Sequence, residues 1–232
     1  TAANPNTVVL LNAGGNVDMS KWIDKVPSLL HLWYAGQEGG TAVAEILFGK
    51  VNPSGKLPIS FEKKWEDNPA YPYYYDVDGD KRVEYKEGLF MGYRHYDVSE
   101  TKPQFAFGYG MSYTTFKYSD LRIDREKGRD LVVKIRFTVK NTGKHDGAET
   151  AQIYIRPINP KVERPYKELK GFAKHFIRKN TVQEIEITLD KDAFSYYKTE
   201  LKDFDYDAGS YEVLVGSASD DIRLRKVIQI EK

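Results

Sequence analysis

The chain has no cysteine. Disulfides are therefore excluded, together with thiol catalysis and thiolate metal sites. Net charge is almost absent as well: 35 Lys and Arg stand against 34 Asp and Glu. No field of one sign steers the protein to nucleic acid or to an anionic membrane. No apolar run reaches the length of a membrane span, and no signal-peptide pattern opens the chain. Histidine is sparse. His31, His95, His145 and His175 are scattered without metal-ligand spacing. There is no Ser-centred nucleophile elbow and no phosphate loop. None of this calls for a metal or a cofactor.

Tyrosine is plentiful, with 17 Tyr beside 11 Phe. Such a chain suits a sugar-stacking surface, a β-sandwich core or an interface alike. At 232 residues there is room for one large or two small domains. Thr1 to Asn6 lead straight into Thr7-Val8-Val9-Leu10-Leu11, a buried-strand pattern. A natural chain seldom starts in the run-up to a core strand, so this one reads as the C-terminal piece of something longer.

The chain is organised around Trp33 to Phe61, WYAGQEGGTAVAEILFGKVNPSGKLPISF. Val8 to Asn12 and Leu29 to Tyr34 are short apolar runs, read as parallel strands buried on both faces. Asn12 to Asn16 form the loop at the carboxyl end of the first, where ligands of open α/β sheets gather. After it, Met19 and Trp22 face inward three residues apart. Gly36, Gly39 and Gly40 let backbone approach another group closely. Thr41 to Phe48 is a predicted helix, with Val43, Ile46 and Leu47 on one face. Glu38 sits where a helix N-terminus welcomes negative charge, and Gly49 is its predicted stop. Asn52 to Gly55 is a turn, and Lys56 to Phe61 is a predicted strand.

Glu62 to Glu87 is irregular, with Pro69, Pro72 and the cluster Tyr71, Tyr73, Tyr74 and Tyr75. It reads as a loop packed on something. Asp76, Asp78, Asp80 and Glu87 occupy four ligand positions of a calcium loop. Lys81 stands where that loop needs Gly, so the run reads as a solvated acidic turn.

From Phe116 the apolar period becomes two. Leu131, Val133, Ile135, Phe137 and Val139 alternate with polar or smaller residues, as in a half-buried strand. Ala151 to Ile155, Ile185 to Leu189, Tyr211 to Val215 and Ile222 to Ile230 continue the pattern. With Phe116 to Ile123 and Lys167 to Phe176 there are about seven strands, as an immunoglobulin-like sandwich needs. Tyr211, after Ala208-Gly209-Ser210, has the place of a tyrosine-corner residue.

The run AGQEGGTAVAEILFGKVNPSGKLPISF resembles the end of the second domain of glycoside hydrolase family 3. So do EGLFMGYRHYD (Glu87 to Asp97), FAFGYGMSYTTF (Phe105 to Phe116), RPYKELKGF (Arg164 to Phe172) and GSYEVLVGSASDDIRL (Gly209 to Leu224). The resemblance covers nearly the whole chain. It implies an α/β fold followed by an all-β one: part of an α/β sandwich domain at 1–61, a Tyr-rich connection at 62–115 and a seven-stranded fibronectin type III-like sandwich at 116–232. Its relatives usually carry a Pro-Gly turn before the strand at Thr181, where this chain has Arg178-Lys179-Asn180. It implies a cofactor-free retaining enzyme, most like a β-glucosidase, with β-xylosidase as the runner-up.

The partners implied are the N-terminal barrel and remaining α/β portion of the same enzyme and a β-linked glucoside or oligosaccharide. A homodimer stays open as the assembly. The family's nucleophile and acid/base motifs do not occur here, so no catalytic residue is assigned, and no substrate-binding residue either. Isolated, the chain is expected to be inactive. Glu38 reads as a carboxylate that fixes its loop. A non-catalytic carbohydrate-binding or interaction module using the Tyr-rich loop is the reading from another class. A secreted or periplasmic home is favoured over a cytoplasmic one.

Overall fold

The computed structural model describes residues 2–126 and 130–232. The chain divides into two compact units. One comprises Thr1–Val51 with Ile59–Ala106, the other Asn52–Pro58 with Phe107–Lys232.

In the first unit, β1 (Val8–Leu11) and β2 (Ser28–His31) pair in parallel, with Leu11 opposite His31. The apolar pattern predicts both faces covered, yet Val8 and Leu10 remain 43% and 44% exposed. A two-stranded sheet with one short helix has too little chain to close both faces. The helix α1 (Gly39–Leu47) begins at Glu38 and ends in a Schellman turn. Gly49 takes φ +72°, which an L side chain rarely adopts. Its N–H donates to the Ile46 carbonyl at 2.9 Å, and Lys50 N–H to that of Glu45 at 2.8 Å.

The predicted strand at Lys56 to Phe61 is not formed. Leu57 exchanges backbone hydrogen bonds with Gly108 and Tyr109, and Phe61 makes one isolated bridge to Phe105. Pro58 lies between these contacts and has no N–H to continue a ladder. Two single turns of helix, α2 (Tyr71–Tyr74) and α3 (Tyr93–Tyr96), interrupt the irregular region. Met19, Phe61, Tyr96 and Ala106 are buried in this unit, and Trp22 is half-buried.

The second unit holds two antiparallel sheets. Strands β3 (Phe116–Arg125), β4 (Val133–Asn141) and β7 (Val182–Leu189) form one, in the order β3-β4-β7. The other has the order β11-β10-β5-β6, from β5 (Gly147–Pro157), β6 (Glu168–Ile177), β10 (Gly209–Ala218) and β11 (Asp221–Ile230). A small hairpin of β8 (Tyr196–Lys198) and β9 (Asp203–Asp205) stands apart. Side chains alternate across a strand, so Val133, Ile135, Phe137 and Val139 all point into the core. There they join Ile153, Ile155, Ile185, Val213 and Val215.

Segment Asn52–Pro58 straps this unit. Asn52 donates to the Asp146 carbonyl at 2.9 Å and accepts from Ser112 Oγ and Tyr113 N–H at 2.9 and 2.8 Å. Lys56 Nζ lies 3.6 Å from Glu149, both side chains being nearly buried. Burial pulls the Lys56 ammonium below its ordinary pKa, and Glu149 partly restores it.

Candidate functional site

Parallel pairing of β1 and β2 brings their following loops side by side. Leu32 N–H donates to the Leu11 carbonyl at 2.8 Å, which carries the pairing one residue past β2. Beyond this, loop 12–16 and turn 32–36 form a rim at the carboxyl ends of the strands. Gly14 backs directly onto the Tyr34 ring; a Cβ at Gly14 would meet it at 2.6 Å. That close approach requires Gly. Tyr34 is nevertheless 82% exposed.

Trp33 carries the strain of this rim, with φ +52°. A bulky residue in the left-handed region is an outlier that its surroundings must hold in place. Three contacts do so. Trp33 N–H donates to His31 Nδ1 at 3.1 Å. The Trp33 and His31 rings stack with centroids 4.2 Å apart. Phe61 meets both rings edge-on. His31 is held below its ordinary pKa by burial, against a smaller opposite effect of the Gly15 backbone.

Asn16 fixes the other side of the rim. Its amide donates to the Ser60 carbonyl at 3.0 Å and to Glu62. Glu38 lies exposed at the start of α1, and its carboxylate accepts the Thr41 hydroxyl at 2.9 Å.

Asp76, Asp78 and Asp80 bring one carboxylate oxygen each within 4.8 Å of the others, all exposed. Their oxygens accept backbone N–H groups of Gly79, Lys81, Asp80 and Arg82. Turn closure of this kind is what Asp side chains do without an ion. Glu87 is not part of the cluster, nor are the histidines. In the Tyr-rich region Trp65 meets Tyr71 and Tyr74 edge-on, and Tyr74 meets Tyr75 in the same way.

A pocket of about 80 Å³ opens in the second unit, lined in part by Arg164, Tyr196, Asp207 and Tyr211. Arg164 donates to the Phe194 carbonyl and to Glu168 and lies over the Tyr196 ring. Tyr196 OH and Lys198 Nζ both donate to Asp207, at 2.9 and 2.7 Å. These polar groups are spent on one another and tie the β8–β9 hairpin to the sandwich.

The rim as a unit was not legible in the sequence. A positive φ at Trp33 leaves no mark in residue type, and His31 reads as one of four scattered histidines without metal-ligand spacing. The spacing of His31 and Trp33, on one face of a strand end, was the available signal.

Residues 1–113 match the family model of the glycosyl hydrolase family 3 C-terminal domain. Residues 149–219 match that of a fibronectin type III-like domain. The chain belongs to glycosyl hydrolase family 3. It is 45% identical over 226 residues to thermostable β-glucosidase B of Acetivibrio thermocellus, covering 97% of this chain and 30% of that protein. The crystal structure of β-glucosidase from Kluyveromyces marxianus in complex with glucose superposes with a TM-score of 0.91. It is 42% identical and covers 100% of this chain and 27% of its own. For β-glucosidase 3B from Thermotoga neapolitana in complex with glucose the TM-score is 0.88 at 35% identity, over 97% of this chain and 31% of that one. The chain thus spans about 30% of the length of such family 3 relatives.

Proposed function

We propose that this chain is the C-terminal part of a retaining β-glucosidase that removes non-reducing β-linked glucose. The observation that carries this is the rim of Gly14, Trp33 and Tyr34 at the carboxyl ends of β1 and β2, in a chain whose relatives are named β-glucosidases. Retention requires two carboxyl groups roughly 5 Å apart, one as nucleophile and one as acid/base. Neither is assigned to this chain. Its part is scaffold and one wall of the sugar cleft, and the carboxylates come from the barrel and the remaining α/β portion of the enzyme.

Within this reading, 1–61 is the end of the α/β domain, 62–115 the connection, and 116–232 a seven-stranded fibronectin type III-like sandwich. The tyrosine corner supports the last assignment. No cofactor takes part, and the partners are the rest of the enzyme and the glucoside. β-Xylosidase is the competing activity, since fold does not select the sugar.

The test is to assay the chain alone and joined to the preceding part of the enzyme, on aryl β-glucoside and aryl β-xyloside. The chain alone is expected to be inert and the joined protein to favour the glucoside in kcat/KM. Hydrolysis by the chain alone that Glu38→Gln abolishes would overturn the assignment.

A further inference from the structure

We infer that neutral His31 is a pH-sensitive latch on the Trp33–Tyr34 rim, holding Trp33 in its left-handed backbone until a proton from solvent reaches Nδ1. The geometry sets the sign. In the latched state Nδ1 is an acceptor, because Trp33 N–H points at it across 3.1 Å. The ring proton must then sit on Nε2. Nε2 is buried with no partner in hydrogen-bond geometry, and the Gly15 backbone near the ring favours the charged form only weakly against burial. A second proton would place N–H against N–H at the Trp33 contact, and that clash, together with burial, opposes the attraction of the stacked indole for a cation.

Among the described residues, no charged partner shifts His31 towards its protonated form. The ring is walled by Trp33 and Phe61. Strand β1 contributes Val and Leu, β2 Ser and Leu, and loop 12–16 has no ionisable side chain. The segment from Ser60 to Glu62 brings one carboxylate, Glu62. It is engaged by the amides of Asn16 and Asn68. Burial is correspondingly the larger influence on His31, and it favours the neutral ring.

Trp33 has little else to keep it at φ +52°. Losing the acceptor removes the one directional contact on its backbone and leaves the stack and the Phe61 edge. The strain then relaxes by returning Trp33 to an ordinary backbone region. Tyr34 follows it in sequence and lies against Gly14, so the rim moves as a whole. The latch stands independently of what the rim binds. Its effect on sugar binding rests on the glucosidase reading.

Two substitutions separate acceptor from ring. His31→Asn keeps an acceptor near the Nδ1 position and cannot titrate. His31→Phe keeps the stack and has no acceptor. Hydrogen exchange of a peptide spanning residues 30–36 is measured in the intact protein, with each variant compared to the parent at the same pH. At about pH 7.5, His31→Phe is expected to exchange the Trp33 amide roughly tenfold faster than the parent, and His31→Asn to match the parent. At about pH 5 the parent should approach His31→Phe, whereas His31→Asn stays protected.

A parent and His31→Asn that lose protection together would overturn the latch, and this comparison stands even if His31→Phe fails to fold. So would a His31→Phe protein as protected as the parent at both pH values. In the joined enzyme, KM for an aryl β-glucoside should rise on the acid side in the parent and not in His31→Asn. Exchange as expected with a flat KM would keep the latch and remove the rim from the sugar cleft.

Discussion

The Tyr211 hydroxyl donates to the carbonyl oxygen of Asp207 across 2.9 Å, four residues back along the chain. The ring is buried, with Phe194 edge-on at 5.3 Å. One side chain thus closes the turn into β10 and packs the core. Tyr211→Phe keeps the packing and leaves the Asp207 carbonyl without this donor. Loss of a buried hydrogen bond with one partner left behind costs about 1 to 3 kcal/mol. Urea unfolding should show a lower midpoint at unchanged slope. An unchanged midpoint would mean that water replaces the hydroxyl at no cost.

The turn before β7 runs from Arg178 to Thr181. Thr181 N–H donates to the Arg178 carbonyl at 3.1 Å, and Asn180 has φ +62°. Lys179 does not share that sign. This is a type II pattern with Asn in the place usually given to Gly. Asn180→Ala should cost about 1 kcal/mol, because Ala tolerates the left-handed region less well than Asn. Lys179→Pro fits the backbone but removes an N–H that donates to Asp146 at 2.7 Å. A hydrogen bond to a charged group contributes about 1.5 to 3 kcal/mol, more than the roughly 0.4 to 1 gained from a stiffer unfolded chain. Lys179→Pro is therefore expected to destabilise this protein, unless Asp146 is changed as well. Melting of the single and double variants checks it.

Much of the sandwich was legible because its signal is local. Alternation from Leu131 to Val139 marks β4 whatever surrounds it, and Tyr211 announces its corner through Ala208-Gly209-Ser210. Lys56 to Phe61 failed for the opposite reason. Its apolar pattern is strand-like, but a strand needs a neighbour, and the chain offers it only scattered bonds on either side of Pro58. The β8–β9 hairpin escaped because its cohesion lies in a charge network, Lys198 with Asp205 and Asp207, and not in periodicity. The candidate rim was legible only as a place, the carboxyl end of β1. Its defining feature, the backbone of Trp33, arises from a contact between side chain and main chain that composition does not encode.

That charge network carries a pH dependence of definite sign. Asp205 is lowered from 3.8 to about 2, first by its hydrogen bond from Lys232 and then by Tyr206 N–H and Lys198. Its folded-state pKa lies below its unfolded one, so its contribution is present above about pH 4 and fades as pH falls towards 2. Lys198 is raised from 10.5 to about 12, chiefly by Asp207. Its contribution is complete below about pH 10 and is lost as pH climbs through 12. Lys198→Met should flatten the alkaline limb of the stability profile and shrink part of the acid limb. Lys232→Met should touch the acid limb more. Profiles of thermal midpoint against pH for both variants distinguish the two cations.

The last prediction concerns where the sandwich unit begins. A cut at Phe116 looks natural, since β3 starts there. Yet Asn141 is wholly buried, and its side-chain oxygen accepts the Thr114 hydroxyl at 2.6 Å and Gly143 N–H at 3.1 Å. Its amide donates to the carbonyls of His145 and Ile177, so this side chain is committed on every side. Gln152, also buried, donates to the Gly108 and Ser217 carbonyls, and Ser219 N–H donates to that of Phe107. A cut at 116 strips partners from each of these groups. Each partner lost from a buried group costs about 1 to 3 kcal/mol, discounted where water enters. Residues 107–232 should therefore unfold cooperatively at higher urea than 116–232, by about 2 to 4 kcal/mol. The strap residue Lys56 lies outside both pieces, which leaves Glu149 with the Tyr118 hydroxyl at 2.9 Å and the nearby Arg223 guanidinium. Glu149→Gln is expected to cost less stability in 107–232 than in the full chain, where Lys56 is present. The full chain, with Val8 and Leu10 open on β1, should bind a hydrophobic dye that 107–232 ignores. Equal midpoints for the two pieces would place the edge of the unit at β3 after all.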